Sequence, residues 1–328
     1  MVDNWELTIA IHYLYKNHPL TAIFKYIKDF YKEAFNPYYF LLILLITGLL
    51  IYLNYWHGLE MLYVNGGNSK FSHFIGYFLL YFTPFAAAFF LQPAFFKGCS
   101  YYKDPWFWAI LFLAPAFFAF RVNFDFQESL FQKIWHGDEL QFWTHSLNWV
   151  IRVFVALIPV YIIWRIKDRK NQPFYGSKKL NNARPYLLML LVMIPLIAAA
   201  STQSDFLAMY PKAKLLTNLD VHPKQVHYVI YELCYGFDFV SIEFFFRGFI
   251  ILSLAKICGP RCIIPMACFY CTIHFGKPFG EALSSFWGGL LLGIVSFNTK
   301  SIRGGLMVHL GIAWLMELGG WIGMFIKG

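Results

Sequence analysis

Long apolar runs alternate with short polar stretches along this chain. Runs able to cross about 30 Å of hydrocarbon, for which roughly 17 to 25 residues suffice, lie at 38–56, 71–92, 105–122, 146–165, 185–202, 227–256, 260–275, 280–298 and 303–325. They predict an all-α fold with eight to nine transmembrane helices. The runs are continuously apolar and lack the alternation a β-barrel requires. The 260–275 run is short and contains Cys, Thr and His, which predicts a tilted or partly re-entrant segment shielded by protein.

Two further stretches mix charge with apolar residues at helical spacing. Residues 1–37 predict an amphipathic interfacial segment without a signal-peptide cleavage site. The aromatic-rich NFDFQESLFQKIWHGDELQFW (123–143) predicts a second segment in the outer headgroup layer. The resulting organisation is the N-terminal segment, then helices over 38–202 interrupted by a polar loop at 164–185, then a bundle over 227–325.

Composition agrees with this pattern. With 59% hydrophobic and 14% charged residues in 328 positions, the chain lacks the polar surface of a soluble domain. Loop 164–185 holds seven basic residues and one acid and is therefore assigned to the cytoplasm, which places the N-terminus inside and predicts a multi-pass protein of the cell (inner) membrane. The net charge of +9 is accounted for by orientation and by attraction to anionic lipid, so no nucleic-acid partner is implied. Five of the six cysteines sit in or beside apolar runs, where Cys behaves as a small apolar residue.

The polar residues inside the runs carry the candidate chemistry. In VSIEFFFRGF (240–249), Glu243 and Arg247 stand four apart on one helix face, with the acid N-terminal to the base. A charge at mid-membrane costs roughly 2.5 to 3.5 kcal/mol on insertion scales, so the pair must face the bundle interior or a cavity. FYCTIHFGKP adds Tyr270 and His274 one turn apart, and GGLMVHLGIAW adds His309 among glycines that permit close helix approach. A carboxylate pinned by an arginine can activate a water, and a histidine can donate to an oxyanion or return a proton to a leaving amine. That set suits peptide hydrolysis, with no cofactor and no metal.

At these residues the chain resembles the CPBP family, the CAAX prenyl endopeptidase and bacteriocin-processing (Abi) membrane proteins, whose motifs are EExxxR, FxxxH and HxxxN. The matching stretches within 227–325 are IEFFFRG (242–248), YCTIH (270–274) and HLGIA (309–313). The resemblance implies a helical bundle around an intramembrane cavity and glutamate-type proteolysis of a substrate with a transmembrane or lipidated segment. It assigns motif roles to Glu243, Arg247, His274 and His309. This chain departs from the motifs at Ile242, where the family's water-activating acid belongs, at Tyr270 for Phe, and at Ala313 for Asn. Asp238, one turn before Ile242, and Glu317, one turn after Ala313, are further candidate acids, each with an ordinary structural alternative: a cap or headgroup contact for Asp238, a backbone hydrogen bond for Glu317.

Three other readings use the same residues. Cys268, Cys271 and His274 have ligand-like spacing for zinc, although they also suit plain helix packing. Arg152 and Asp238 would extend Glu243 and Arg247 into a proton-coupled transport path, although Arg152 is expected to snorkel to the interface. A catalytically inactive pseudoprotease, acting as a scaffold or immunity-type protein beside a membrane-protein partner, would explain Ile242 and Ala313.

Overall fold

The computed structural model describes residues 19–67, 69–180 and 182–327, so residues 1–18 of the N-terminal amphipathic expectation lie outside the described residues. The helices in chain order are α1 (Pro19–Ala34), α2 (Pro37–His57), α3 (Lys70–Phe95), α4 (Pro105–Asn123), α5 (Glu128–Ile134), α6 (Gly137–Ile163), α7 (Arg184–Ala200), α8 (Ser204–Met209), α9 (Lys224–Glu243), α10 (Leu252–Cys258), α11 (Ile263–Thr272), α12 (Phe279–Thr299) and α13 (Arg303–Lys327). Among the described residues, six helical segments are long and apolar enough to cross a membrane: 37–57, 70–95, 105–134, 137–168, 279–299 and 303–327, with α7 as a shorter apolar helix. The protein is an all-α polytopic membrane protein.

Helix α2 shows how its sequence divides between lipid and core. Leu41, Leu45 and Leu49 recur every four residues and remain exposed, forming a lipid-facing stripe. Tyr39, Ile43, Thr47, Ile51 and Asn54 occupy the opposite face and are buried. The Asn36 side chain accepts from the Tyr38 and Tyr39 amides, and Gly58, at φ 64°, closes the helix in the left-handed conformation.

The 227–256 run forms α9, a π-helical turn over Phe244–Ile251 and then α10. It is too polar to count as a plain span because Glu232, Asp238, Glu243 and Arg247 all belong to it. Phe245, Phe246 and Phe249 are fully buried in an aromatic core with Phe118, Tyr81 and Phe269. The Phe246 and Phe269 rings are 5.0 Å apart, and those of Phe118 and Phe246 5.3 Å. The four phenylalanines of FFFRGF therefore hold the central helix in the bundle, with Phe244 stacked at 5.0 Å on Phe174 of the basic loop.

Helix α11 accounts for the short 260–275 run. Its ten residues rise about 15 Å, half the hydrocarbon thickness. All ten are buried, so the helix ends are satisfied inside protein. The basic loop is fastened to the core: Tyr175 Oη donates to Asp168 at 2.8 Å, Lys256 Nζ lies 2.9 Å from the same carboxylate, and the Ile302 amide donates to the Gly176 carbonyl at 3.0 Å.

One sequence expectation is corrected. Helix α6 begins at Gly137 rather than near residue 146, so Arg152 stands about four turns into it, half-buried and with its Nε buried without a hydrogen-bond partner.

Candidate active site

Three elements meet at Glu243. The end of α9 supplies the carboxylate, the π turn supplies Arg247, and α13 supplies His309. Glu243 and Arg247 are fully buried and form an ion pair at 3.2 Å between Oε1 and an Arg247 terminal nitrogen. His309 Nδ1 lies 3.0 Å from the same Oε1. Glu243 Oε2 is buried with no hydrogen-bond partner. Gly305 permits this approach, since a Cβ there would lie 2.5 Å from Oε2.

Tyr270 of α11 closes the group. Its hydroxyl is 3.3 Å from His309 Nε2, and the Arg247 guanidinium sits 3.9 Å from its ring centroid in cation–π geometry. Gly289 of α12 makes room for that ring, because a Cβ there would come within 2.9 Å of it. The partners assign the tautomer: His309 donates from Nδ1 to the carboxylate and accepts from Tyr270 at Nε2. The result is a chain from Tyr270 through His309 to Glu243, flanked by a guanidinium.

His274 lies in the turn after α11. Its Nδ1 donates to the Tyr270 carbonyl at 2.8 Å, and its ring packs edge-on against the Tyr270 ring at 4.7 Å. This leaves Nε2 without a hydrogen-bond partner among the described residues. Helix α11 is only ten residues long and its last turn brings Tyr270 to His309, although sequence counting places His274 and His309 toward opposite membrane faces. Neither histidine retains a free Nδ1–H for an oxyanion.

The remaining candidate acids lie elsewhere. Asp238 pairs with Arg121 of α4 and accepts weakly from Ser241, on a different face of α9 from Glu243. Glu317 accepts from the Lys212 and Ala213 amides at 2.9 and 3.2 Å, capping the 3-10 helix Lys212–Asn218. Ile242 packs into the main core, and Ala313 is buried on α13. Cys271 Sγ contacts the Ala282 carbonyl at 3.4 Å and Cys268 lies beside Thr47, and no group of three or more His, Cys, Asp or Glu converges on a metal position among the described residues.

Sequence reasoning missed Phe239, whose ring lies 4.5 Å from that of His309. Its signal is the spacing of four to Glu243 along α9. It also missed the Lys277–Glu281 pair at 3.4 Å just beyond His274, which the i, i+4 pattern in KPFGE encodes.

A buried carboxylate, guanidinium, imidazole and phenol assembled on membrane helices belong to the class of polytopic intramembrane proteins with a polar core site. Residues 230–315, which contain every member of this group, match the family model described as type II CAAX prenyl endopeptidase Rce1-like. The match supports membership of the CPBP family. Neither a curated protein nor a solved structure matches the chain.

Proposed function

We propose that this protein is a glutamate-type intramembrane endopeptidase that hydrolyses a peptide bond in a membrane-associated or lipidated substrate. One observation carries the reading: Glu243 is held through Oε1 by Arg247 and His309, while Oε2 has no partner. A carboxylate so fixed presents one basic oxygen in a site of low dielectric.

In the proposed cycle, Glu243 Oε2 takes a proton from a water as that water's oxygen attacks the scissile carbonyl carbon. His274 Nε2, left as an acceptor, holds the second hydrogen of the water. The Tyr270 hydroxyl turns from His309 Nε2 to donate to the developing oxyanion. Collapse of the tetrahedral intermediate breaks the C–N bond, and the proton on Glu243 passes to the departing amine. Arg247 supplies the charge that compensates the Glu243 carboxylate. Tyr270, where the family motif has Phe, thereby offsets the donor missing at Ala313, and Glu243 takes the role of the acid missing at Ile242.

The burial of Ile242 in the core favours a second reading, a pseudoprotease that holds a membrane peptide without cutting it. The topology proposed with either is N-terminus cytoplasmic in an inner membrane, supported by the basic loop. The deciding experiment is cleavage of a membrane-peptide library by the purified protein, run beside Glu243→Gln and His274→Ala and with a chelator. Cleavage that survives chelator and is lost in both variants supports the protease. No cleavage by a parent that melts cooperatively supports the pseudoprotease.

A further inference from the structure

A second set of charged side chains lies in the bundle on the α9 face turned away from Glu243. Arg121 of α4, Arg152 of α6 and Asp238 of α9 belong to it, with Tyr77 and Tyr81 of α3 close enough to act on the Arg152 charge. The helix ends fix its level. Arg121 stands two residues before the end of α4, and Lys70, the first residue of α3, pairs at 2.7 Å with Asp125 just beyond that end. Asn148, one turn before Arg152, accepts from the Gln127 side chain at 2.6 Å, so Arg152 is also about a turn below the end of α4. The earlier turns of α6 pack on the segment beyond α4, with Trp143 stacked on Trp135 at 5.3 Å. The set therefore lies near the headgroup boundary, at the end of the bundle opposite the basic loop that follows α6.

Two cations share one acid here. Asp238 Oδ1 is taken by Arg121 and approached by the Ser241 hydroxyl at 3.5 Å. The Arg121 side chain is 6% exposed, and its Nε is enclosed without a partner. Its guanidinium otherwise meets the Phe118 ring, 5.1 Å from the centroid. Arg152 makes neither a hydrogen bond nor an ion pair among the described residues, and its Nε is enclosed as well. Glu60 does not serve it, being bound by the Tyr77 hydroxyl at 3.1 Å and beyond ion-pair range of both arginines. The hydroxyl of buried Tyr81 likewise has no hydrogen bond among the described residues. A half-buried guanidinium without a counter-charge is costly at this depth, and a bound anion would remove that cost.

We infer that this set binds a singly charged phosphate group, whose oxygens accept from the Arg121 and Arg152 guanidiniums and from the Tyr81 hydroxyl. The inference stands apart from the protease reading and does not need it. Charge argues for it: two guanidiniums less one carboxylate leave one positive charge, which a phosphodiester matches. Donor geometry agrees, because the planar fork of an arginine suits phosphate oxygens. Asp238 orients Arg121, and Arg152 is the cation that the ligand completes. At the headgroup boundary the phosphate has two sources, a phospholipid of the bilayer or phosphate dissolved in the water beside it.

The test uses the full chain, delipidated in a maltoside detergent and phosphate-free buffer, with dioctanoyl phosphatidylglycerol, the uncharged dioctanoylglycerol and inorganic phosphate as probes. Binding is read by native mass spectrometry and by thermal unfolding. The parent should bind the phosphatidylglycerol about tenfold more tightly than the uncharged lipid and melt higher with it. Arg152→Gln should lose that preference, and without ligand it should melt no lower than the parent, since a charge without a partner has been removed. Arg165→Gln, in the basic loop at the other end of α6, should leave the preference unchanged. Phosphatidylglycerol binding that needs Arg152 and resists inorganic phosphate supports the site with a lipid as its source; displacement by inorganic phosphate supports it with a dissolved source. Equal binding of the two lipids, or equal losses in Arg152→Gln and Arg165→Gln, overturns the inference. So does an Arg152→Gln protein that melts below the parent yet binds phosphatidylglycerol as the parent does, because Arg152 is then structural. Should Arg152→Gln fail to fold, Tyr81→Phe decides: a loss of about threefold in phosphatidylglycerol affinity supports the site, and unchanged affinity overturns it.

Discussion

The Tyr270 hydroxyl lies 3.3 Å from Nε2 of His309, so a phenol that replaces the family's phenylalanine is tied by one imidazole to the Glu243 carboxylate. Tyr270→Phe removes the oxygen and keeps the ring beneath Arg247. Stability should change by about 0.5–1.5 kcal/mol, while cleavage should fall about 10²- to 10³-fold if the hydroxyl stabilises the oxyanion. Thermal unfolding in detergent, read beside kcat on one cleaved peptide, checks both, and an unchanged kcat removes Tyr270 from the mechanism.

Arg247 and Glu243 are each other's charge compensation in a site closed to solvent. Arg247→Met alone strands the carboxylate and should cost about 3–5 kcal/mol, whereas adding Glu243→Gln should recover much of that loss. A double-mutant cycle by thermal unfolding measures the coupling. Additive effects would mean the pair does not interact.

Gly305 faces Glu243 Oε2 and Gly288 faces open space. Gly305→Ala should displace the carboxylate, costing about 1–3 kcal/mol and most of the activity, while Gly288→Ala should leave activity unchanged. Equal effects at the two glycines would show that Oε2 does not sit where α13 comes closest.

Asp238 is held by Arg121 on a face of α9 turned away from Glu243. Asp238→Asn should lower stability by about 3 kcal/mol yet leave kcat per folded molecule within a few-fold. Loss of kcat with intact stability would restore Asp238 as a candidate base.

Much of this architecture is legible in the sequence because a bilayer constrains chains severely. Hydrocarbon length fixes the size of each apolar run, and the cost of charge in lipid marks Glu243 and Arg247 as inward-facing. The Glu243 to Arg247 spacing predicts a shared face, and the two sit 3.2 Å apart. The brevity of 260–275 predicts a segment shielded by protein, and α11 is buried throughout.

What the sequence could not determine was which polar residues meet across helices. Local spacing makes Asp238 and Glu317 look like neighbours of the motif positions, but the rotation of α9 gives Asp238 to Arg121, and a returning loop gives Glu317 to the amides of Lys212 and Ala213. The packing of α11 in the bundle brings Tyr270 to His309, thirty-nine residues away in the chain. Periodicity and solvent preference act within one helix and are written in its residues. Contacts between helices depend on tilt, rotation and depth, which are set by the packing of the whole bundle.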